Sequence, residues 1–383
     1  MKSKRKNKIL PITRNEWGTL ALIKEGMLGS CTHLMDARES EEVVRLGKFQ
    51  KEIFPYPLSF SPRQKLDDLK ADSTLELCVD DEIVGHIVYK GAFENSENFV
   101  DIFRPNTCLL KGEKRLYIHG DIELYRSEIS ALKAQFEERK AALNAQKITA
   151  IVSSFDPLHR AYERMFRWMI DKADLVLAFL IESYEDGGFD FALKECYLHK
   201  FIQSYLPPER VFVFPLRHID IFHAHLNPGL ESIMAKSLGC TKLIVGQNHS
   251  GLGMFYDANQ PKSILDEFSA NYGIETVILP EFVFCNKCTM IVSTRSCPHG
   301  AHHHLHYNAR ALRSLLRAGI IPPAVFMRKE ISSMILSSLF SDRFKNLQDL
   351  YQNLFSIDGI LEPKSDEEFY QKLLEVHQMS YMV

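Results

Sequence analysis

Five short apolar runs dictate what most of this chain can fold into. They are ITAIVSS (148–154), DLVLAFLI (174–181), RVFVFPL (210–216), TKLIVG (241–246) and ETVILP (275–280). An unbroken apolar run of this length is the pattern of a strand covered on both faces. Helical stretches separate the runs: PLHRAYERMFRWMIDKA with Pro157 at a first-turn position, then residues 190–205, PGLESIMAKSLG and SILDEFSANYG. Strands alternating with helices predict right-handed βαβ units and a doubly wound parallel sheet, an α/β fold.

The chain has 383 residues, long enough for two or three domains. Residues 1–145 differ in texture from the rest. LELCVDDEIVGHIVYKG (75–91) reads as a hairpin turning at Asp80 and Asp81, and CLLKGEKRLYIHGDIELY (108–125) as another turning at Lys111–Lys114. This first unit is expected to be β-rich. A charged helix over 126–146 follows, with Ile129, Leu132, Phe136 and Leu143 near one face. Residues 146–340 form the α/β domain, and 341–383 a helical tail.

A net charge of −3 supplies no field toward nucleic acid. No apolar run reaches the ~20 residues that span a bilayer, and the basic MKSKRKNKILPI lacks the apolar core of a secretory signal. Eight scattered cysteines, of which only Cys285, Cys288 and Cys297 cluster, fit a reducing compartment. The expected location is the cytoplasm, with small molecules as partners and neither nucleic acid nor membrane; self-association into a homo-oligomer is compatible with the sequence.

The cysteines lie in FVFCNKCTMIVSTRSCPHGAHHH (282–304). Cys285-x2-Cys288 lets two thiolates reach one ion; Cys297 and a histidine complete a tetrahedron, as in a zinc knuckle. On reach, His302 or His303 is the fourth ligand, with His299 a weaker candidate. Four such ligands leave no position for water, so the zinc is structural.

Two loops follow strands where open α/β sheets take ligands. In SSFDPLHRAY (153–162), His159 and Arg160 fall in a first helical turn, which favours an anion. In GQNHSGLGMFYDANQ (246–260), Gly246, Gly251 and Gly253 surround His249 and admit close backbone approach. RHIDIFHAH adds His218, His223 and His225, expected to be surface histidines. Arg310, Arg313 and Arg317 share one helix face, expected to be solvated.

Read together, these segments resemble ATP sulfurylase (sulfate adenylyltransferase) over most of residues 20–340. The family pattern QxRNPxHxxH falls on SSFDPLHRAY, GRDHAGxG on GQNHSGLG, and FYCxxC…CPHxxxHHLxxSGTxxR on FVFCNKCTMIVSTRSCPHGAHHHLHYNARALR. SLGCTKLIVG and AGIIPPAVFMRKEI also look like the family. MLGSCTHLMDARESEEVV resembles its PUA-like N-terminal domain.

The resemblance implies a Rossmann-like nucleotidyltransferase domain in which sulfate attacks the α-phosphate of MgATP, giving adenosine 5'-phosphosulfate and pyrophosphate, a step of sulfate assimilation. It implies His159, Asp156 and His249 as catalytic residues. Pro157, His159, Arg160, Gly246, Gln247, Asn248, His249 and Gly251 are implied around the nucleotide. The cofactors implied are ATP with magnesium, and structural zinc.

The chain departs from the family at informative positions. Ser153 stands for glutamine, Phe155 for the sulfate-binding arginine, Asp156 for asparagine and Tyr162 for the second histidine. Gln247 and Asn248 replace Arg and Asp; Asn308, Ala309 and Arg310 replace Ser-Gly-Thr. Phe155 removes a bidentate donor from a dianion site, and Asp156 adds an anion beside it. Three readings stay open: sulfate adenylyl transfer at a rebuilt site, transfer to a hydroxyl or cationic acceptor, or a paralogue that only binds nucleotide or scaffolds a partner.

Overall fold

The computed structural model of the chain describes residues 8–50, 52–64, 66, 69–94, 101–103, 114–183, 187–222, 227–246, 273–355 and 363–379. The N-terminal elements are β1 (Lys8–Pro11), α1 (Arg14–Lys24), β2 (His33–Leu34), α2 (Ala37–Leu46), β3 (Lys48–Phe49), β4 (Glu52–Ile53), β5 (Ser73–Val79), β6 (Glu82–Glu94) and β7 (Leu116–Leu124). Five of the strands form one sheet in the order β1-β5-β6-β7-β2. The β5–β6 hairpin turns at Asp80 and Asp81 as the sequence predicts, with left-handed φ of 48° and 66°. Two left-handed central residues match the twist of paired antiparallel strands, and aspartate tolerates them. Of the second expected hairpin, β7 is present and pairs with β6; residues 104–113 lie outside the described residues.

The helix α3 (Glu128–Ala142) is capped by Ser127 and buries Ile129 and Phe136. After it come β8 (Ile148–Ser153), α4 (Arg160–Ile170), β9 (Leu175–Leu180), α5 (Phe191–Tyr205), β10 (Val211–Pro215), α6 (Asn227–Ser237), β11 (Lys242–Gly246) and β12 (Glu275–Leu279). The predicted alternation of strand and helix is therefore real. The five strands make one sheet in the order β10-β9-β8-β11-β12, and β11 runs parallel to both β8 and β12. All six residues of β9 are fully buried, as a strand covered on both faces requires. The stretch predicted as helix SILDEFSANYG lies outside the described residues up to Tyr272.

The last part holds β13 (Phe282–Cys285), β14 (Met290–Ser293), β15 (His304–His306), α7 (Ala309–Arg317), α8 (Lys329–Leu339), α9 (Leu347–Leu354) and α10 (Asp366–Met379). The three strands form a small antiparallel sheet centred on β13.

The chain divides into two compact units, each built from three separated segments. The first comprises Met1–Val152, Ala173–Glu182 and Phe212–Leu279. It contains both large sheets, and its core joins Leu75, Leu77 and Ile87 to Phe136, Leu177, Phe214 and Val245. The second comprises Ser153–Lys172, Ser183–Val211 and Pro280–Val383. Phe155, Phe166, Tyr197, Leu312, Leu316, Ile335 and Leu336 are buried there. Lys329 ties α8 to Glu375 of α10 at 2.7 Å. Among the described residues, no helix is long and apolar enough to cross a membrane.

Candidate active site

The strand order fixes where the two loops begin. β9 and β10 lie on one side of β8, β11 and β12 on the other, so the direction of winding reverses between β8 and β11. Doubly wound sheets bind ligands beyond the carboxyl ends of the strands at such a reversal. Residues 153–159 leave β8 there, and the glycine-bearing loop leaves β11 at Gly246. Gln247, Asn248, His249, Gly251 and Gly253 lie outside the described residues, as do His223 and His225.

The first loop is held by its own altered residues. Phe155 adopts a left-handed φ of 46°, a conformation costing a bulky residue about 1–3 kcal/mol. Its surroundings offset that cost. The ring is fully buried, 5.0 Å from the Tyr162 ring and 5.7 Å from Phe166. Its N–H donates to Ser153 Oγ at 3.2 Å, and its carbonyl accepts from Tyr197 OH at 2.6 Å. Burial pushes the Tyr197 phenol well above its usual pKa, which keeps it a donor. Ser153 Oγ and Tyr162 OH share a hydrogen bond of 2.9 Å. The side chain standing where the family motif has an arginine is therefore a core residue.

Asp156 follows, joined to Pro157 by a cis peptide bond and only 3% exposed. Its Oδ2 accepts from Ser183 Oγ and from the Phe189 N–H at 3.1 Å. Ser183 in turn accepts from Lys194 Nζ at 3.0 Å, and Lys194 is fully buried. Asp156 O accepts from Arg313 Nη1 at 2.7 Å. Gly188 makes this packing sterically feasible: a Cβ there would stand 2.5 Å from Ser183 Cβ and 2.9 Å from Asp156 Oδ2. The predicted solvated arginine face is corrected at one position, Arg313. Arg313 is only 6% exposed, and Arg317 donates to the carbonyls of Gly187 (2.8 Å) and Gly188 (3.0 Å) while lying over the Phe189 ring. Arg310 and Arg317 are exposed, so of the three only Arg313 is buried.

The helix α4 starts at Arg160, so Pro157 is not in its first turn; it belongs to the cis turn three residues earlier. His159 is the residue before the helix, and its side chain makes no capping bond. Its ring stacks on Tyr162 at 4.4 Å and on Tyr307 at 5.2 Å, with interplanar angles of 24° and 29°. Burial disfavours the imidazolium and pushes its pKa down to about 3, so the ring is neutral at pH 7. Nδ1 is buried without a hydrogen-bond partner. Arg160 is engaged by the chain itself. Its N–H donates to Phe326 O at 2.8 Å and its guanidinium to Ala324 O at 3.4 Å, with Nε 3.1 Å from Glu163. Glu163 also receives Arg167 and Arg328. Burial alone would raise its pKa, but these arginines, Arg328 foremost, hold it below the usual range.

The cysteine segment brings Cys285, Cys288, Cys297 and His299 together, with all four ligand atoms within 4.8 Å of one another. Cys288 and Cys297 sulfurs are 3.8 Å apart, and His299 Nδ1 lies 3.5, 3.2 and 3.7 Å from the three sulfurs. A tetrahedron with zinc–sulfur bonds of ~2.3 Å has sulfur–sulfur edges of roughly 3.8 Å, so the donor set fits such an ion. The histidine found beside the three sulfurs is His299, where reach along the chain suggests His302 or His303. The chain bends at His299, and His303 Nδ1 is 2.9 Å from Asn286 Oδ1. His302 packs its ring on His303, centroids 4.1 Å apart.

Comparison with known proteins follows from this geometry. The ATP-sulfurylase family model matches residues 127–338, more than half of the chain. The chain belongs to the ATP-sulfurylase family. It is similar to the sulfate adenylyltransferase of Cenarchaeum symbiosum (strain A), 29% identical over 246 residues, which are 62% of this chain and 64% of that protein. Its likeness to the sulfate adenylyltransferase of Chloroflexus aurantiacus (strain ATCC 29366 / DSM 635 / J-10-fl) is 28% over 247 residues, 61% and 64% of the two chains. The sulfate adenylyltransferase of Psychrobacter sp. (strain PRwf-1) is 23% identical over 318 residues, 77% of this chain and 75% of that protein. The chain thus spans just under two thirds of the first relatives' length. Among solved structures, a hexameric APS kinase from Thiobacillus denitrificans has a TM-score of 0.64, covering 87% of this chain and 63% of that one at 16% identity, a likeness of fold.

Within this ATP-sulfurylase family chain, sequence motifs located His159, Asp156 and the cysteines. They missed Ser183, Lys194, Tyr197 and Tyr307. One signal was available: Lys194 shares its helical face with Tyr197, Leu198 and Phe201, and a lysine on an apolar face is a buried cation awaiting an acceptor.

Proposed function

We propose that the protein is a MgATP-dependent nucleotidyltransferase of the sulfate adenylyltransferase kind whose acceptor is a hydroxyl-bearing or cationic compound rather than the sulfate dianion. The observation that carries this is the buried ring of Phe155, fixed in the core at the position of the family's sulfate-binding arginine. A dianion placed there finds no guanidinium on residue 155, and the neighbouring carboxylate of Asp156 repels it. Nucleotide binding is assigned to His159 with Gly246, Gln247, Asn248, His249 and Gly251, the residues that match the family's two nucleotide motifs. Magnesium bound with ATP supplies charge neutralisation on the phosphates. A neutral His159 offers them a hydrogen bond rather than a charge.

Cys285, Cys288, Cys297 and His299 would hold zinc, a Cys3His set that closes the coordination shell and so orders the β13–β15 sheet. The free thiols suit the cytoplasm.

The test is purified, zinc-replete protein with MgATP. Calorimetry is expected to show nucleotide binding. Pyrophosphate release is expected to be independent of sulfate, and to appear with acceptors from a panel of hydroxyl and amine compounds followed by transfer of α-labelled AMP. Sulfate-dependent release overturns the acceptor assignment. Absence of MgATP binding overturns nucleotidyl transfer and leaves a scaffold.

A further inference from the structure

Three of the chain's departures from the family pattern touch one another. Ser153 and Tyr162, standing for the glutamine and the second histidine, share a hydrogen bond of 2.9 Å. Phe155 donates its N–H to the same Ser153 oxygen and packs its ring against Tyr162. Random loss of function would not leave replacements that satisfy each other's polar groups, because a buried hydroxyl without a partner costs about 1–3 kcal/mol. Their common product is a fixed Tyr162 ring stacked on His159. Tyr307 adds a second stacked ring from the stretch before α7, its OH donating to Val325 O at 2.9 Å.

We infer that Tyr162 and Tyr307 are positioning residues: they hold the imidazole of His159 in one plane as a neutral hydrogen-bond donor to a phosphate of the nucleotide. The inference rests on the nucleotide reading above. A histidine in the family's second position would contribute its own donor; a tyrosine there gives up that contact and instead fixes the orientation of the remaining histidine. The stacked rings also shield the imidazole from water. The charged groups around the stacked rings are Asp156 and Arg313 beside Tyr162, with the Asp156 carboxylate accepting from Ser183 and Phe189, and Arg160, Glu163, Arg167 and Arg328 on α4 and before α8. The last four are spent on each other, with Glu163 contacting Arg160 at 3.1 Å, Arg167 at 3.1 Å and Arg328 at 2.7 Å. Glu163, the carboxylate of α4, is thus held by three arginines rather than by His159. The buried, unpartnered Nδ1 agrees with a ring whose other nitrogen serves a ligand.

The test is a pH titration of the full-length, 15N-histidine-labelled protein by NMR, with His159→Gln identifying the His159 signals. In the wild type these signals are expected to show no protonation between pH 8 and pH 5. Tyr162→Leu is expected to move the midpoint up by at least one unit, toward ~6.5, and to weaken MgATP binding about fivefold, the equivalent of one hydrogen bond. Tyr162→Phe keeps the ring and loses the bond to Ser153, so His159 is expected to stay neutral. Tyr307→Leu provides the same comparison if Tyr162→Leu does not fold. Ordinary titration of wild-type His159, or equal titration in wild type and both Leu variants, overturns the positioning role. MgATP that binds by calorimetry yet leaves the His159 signals unmoved overturns its role as phosphate donor. No MgATP binding at all overturns the nucleotide reading, and the titrations still decide whether the tyrosines hold the ring.

Discussion

Phe155 shows how one side chain can change the meaning of a motif. Its ring is fully buried and its carbonyl is bound by Tyr197, so restoring the family's arginine does not simply restore a ligand. Phe155→Arg is expected to bury an unpaired guanidinium and cost about 3–5 kcal/mol, read as a lower midpoint of urea unfolding. A variant of wild-type stability would mean the loop can turn the side chain outward. His159 gives a second prediction. Its folded pKa, about 3, lies below the ordinary value, so the unfolded state binds the extra proton between pH 6.5 and pH 3. Stability from this group is full above pH 6.5 and is lost as pH falls toward 3. His159→Gln is expected to show a smaller drop in melting temperature between pH 7 and pH 4.5 than the wild type; an equal drop would refute it. At this scale the sequence was partly legible. Motif spacing located Asp156 and His159, because a strand-to-helix loop is local. That Phe155 points inward depends on Phe166 and Tyr197, which are brought to it only by folding.

The cysteine segment carries a prediction at the scale of an element. Cys3His coordination would make the β13–β15 sheet conditional on metal. One zinc per chain is expected by elemental analysis, and Cys288→Ser or chelation is expected to open residues 285–303 to protease. Resistance equal to the wild type would show that the strands hold without metal. The braces from α7 make another test. Arg317 bonds two consecutive carbonyls, so Arg317→Ala is expected to cost about 1–2 kcal/mol in urea unfolding; no change would make those bonds incidental. Elements of the α/β region were readable because apolar strands and amphipathic helices differ in period. The histidine of the metal cluster was not, because reach along an extended chain ignores the bend at His299. Within the arginine stripe Arg313 departed from expectation for a related reason: a helical wheel shows which residues share a face, but not what each of them meets.

For the whole molecule, the reversal of strand order between β8 and β11 was anticipated in kind from the alternation of strands and helices, but the order itself came from pairing. If nucleotide binds there, saturating MgATP at ~100 times its dissociation constant is expected to add about 2.7 kcal/mol of stability, seen as a rise in melting temperature. Sulfate alone is expected to give no such rise. A sulfate effect equal to that of MgATP would indicate a dianion site that Phe155 does not block.

The interleaving of the two compact units has a consequence for biosynthesis. The first unit is complete once residue 279 has been made, but the second draws its last segment from Pro280 onward. At roughly 5–20 residues per second, the following ~100 residues take about 5–20 s to emerge from the ribosome. Arg313 and Tyr307 lie 34 and 28 residues beyond Leu279, so at that rate Asp156 waits about 2–7 s for Arg313 and His159 about 1–6 s for Tyr307. The nascent chain therefore carries an unfinished motif loop for seconds, and this is when a chaperone, or a wrong partner, has its opportunity.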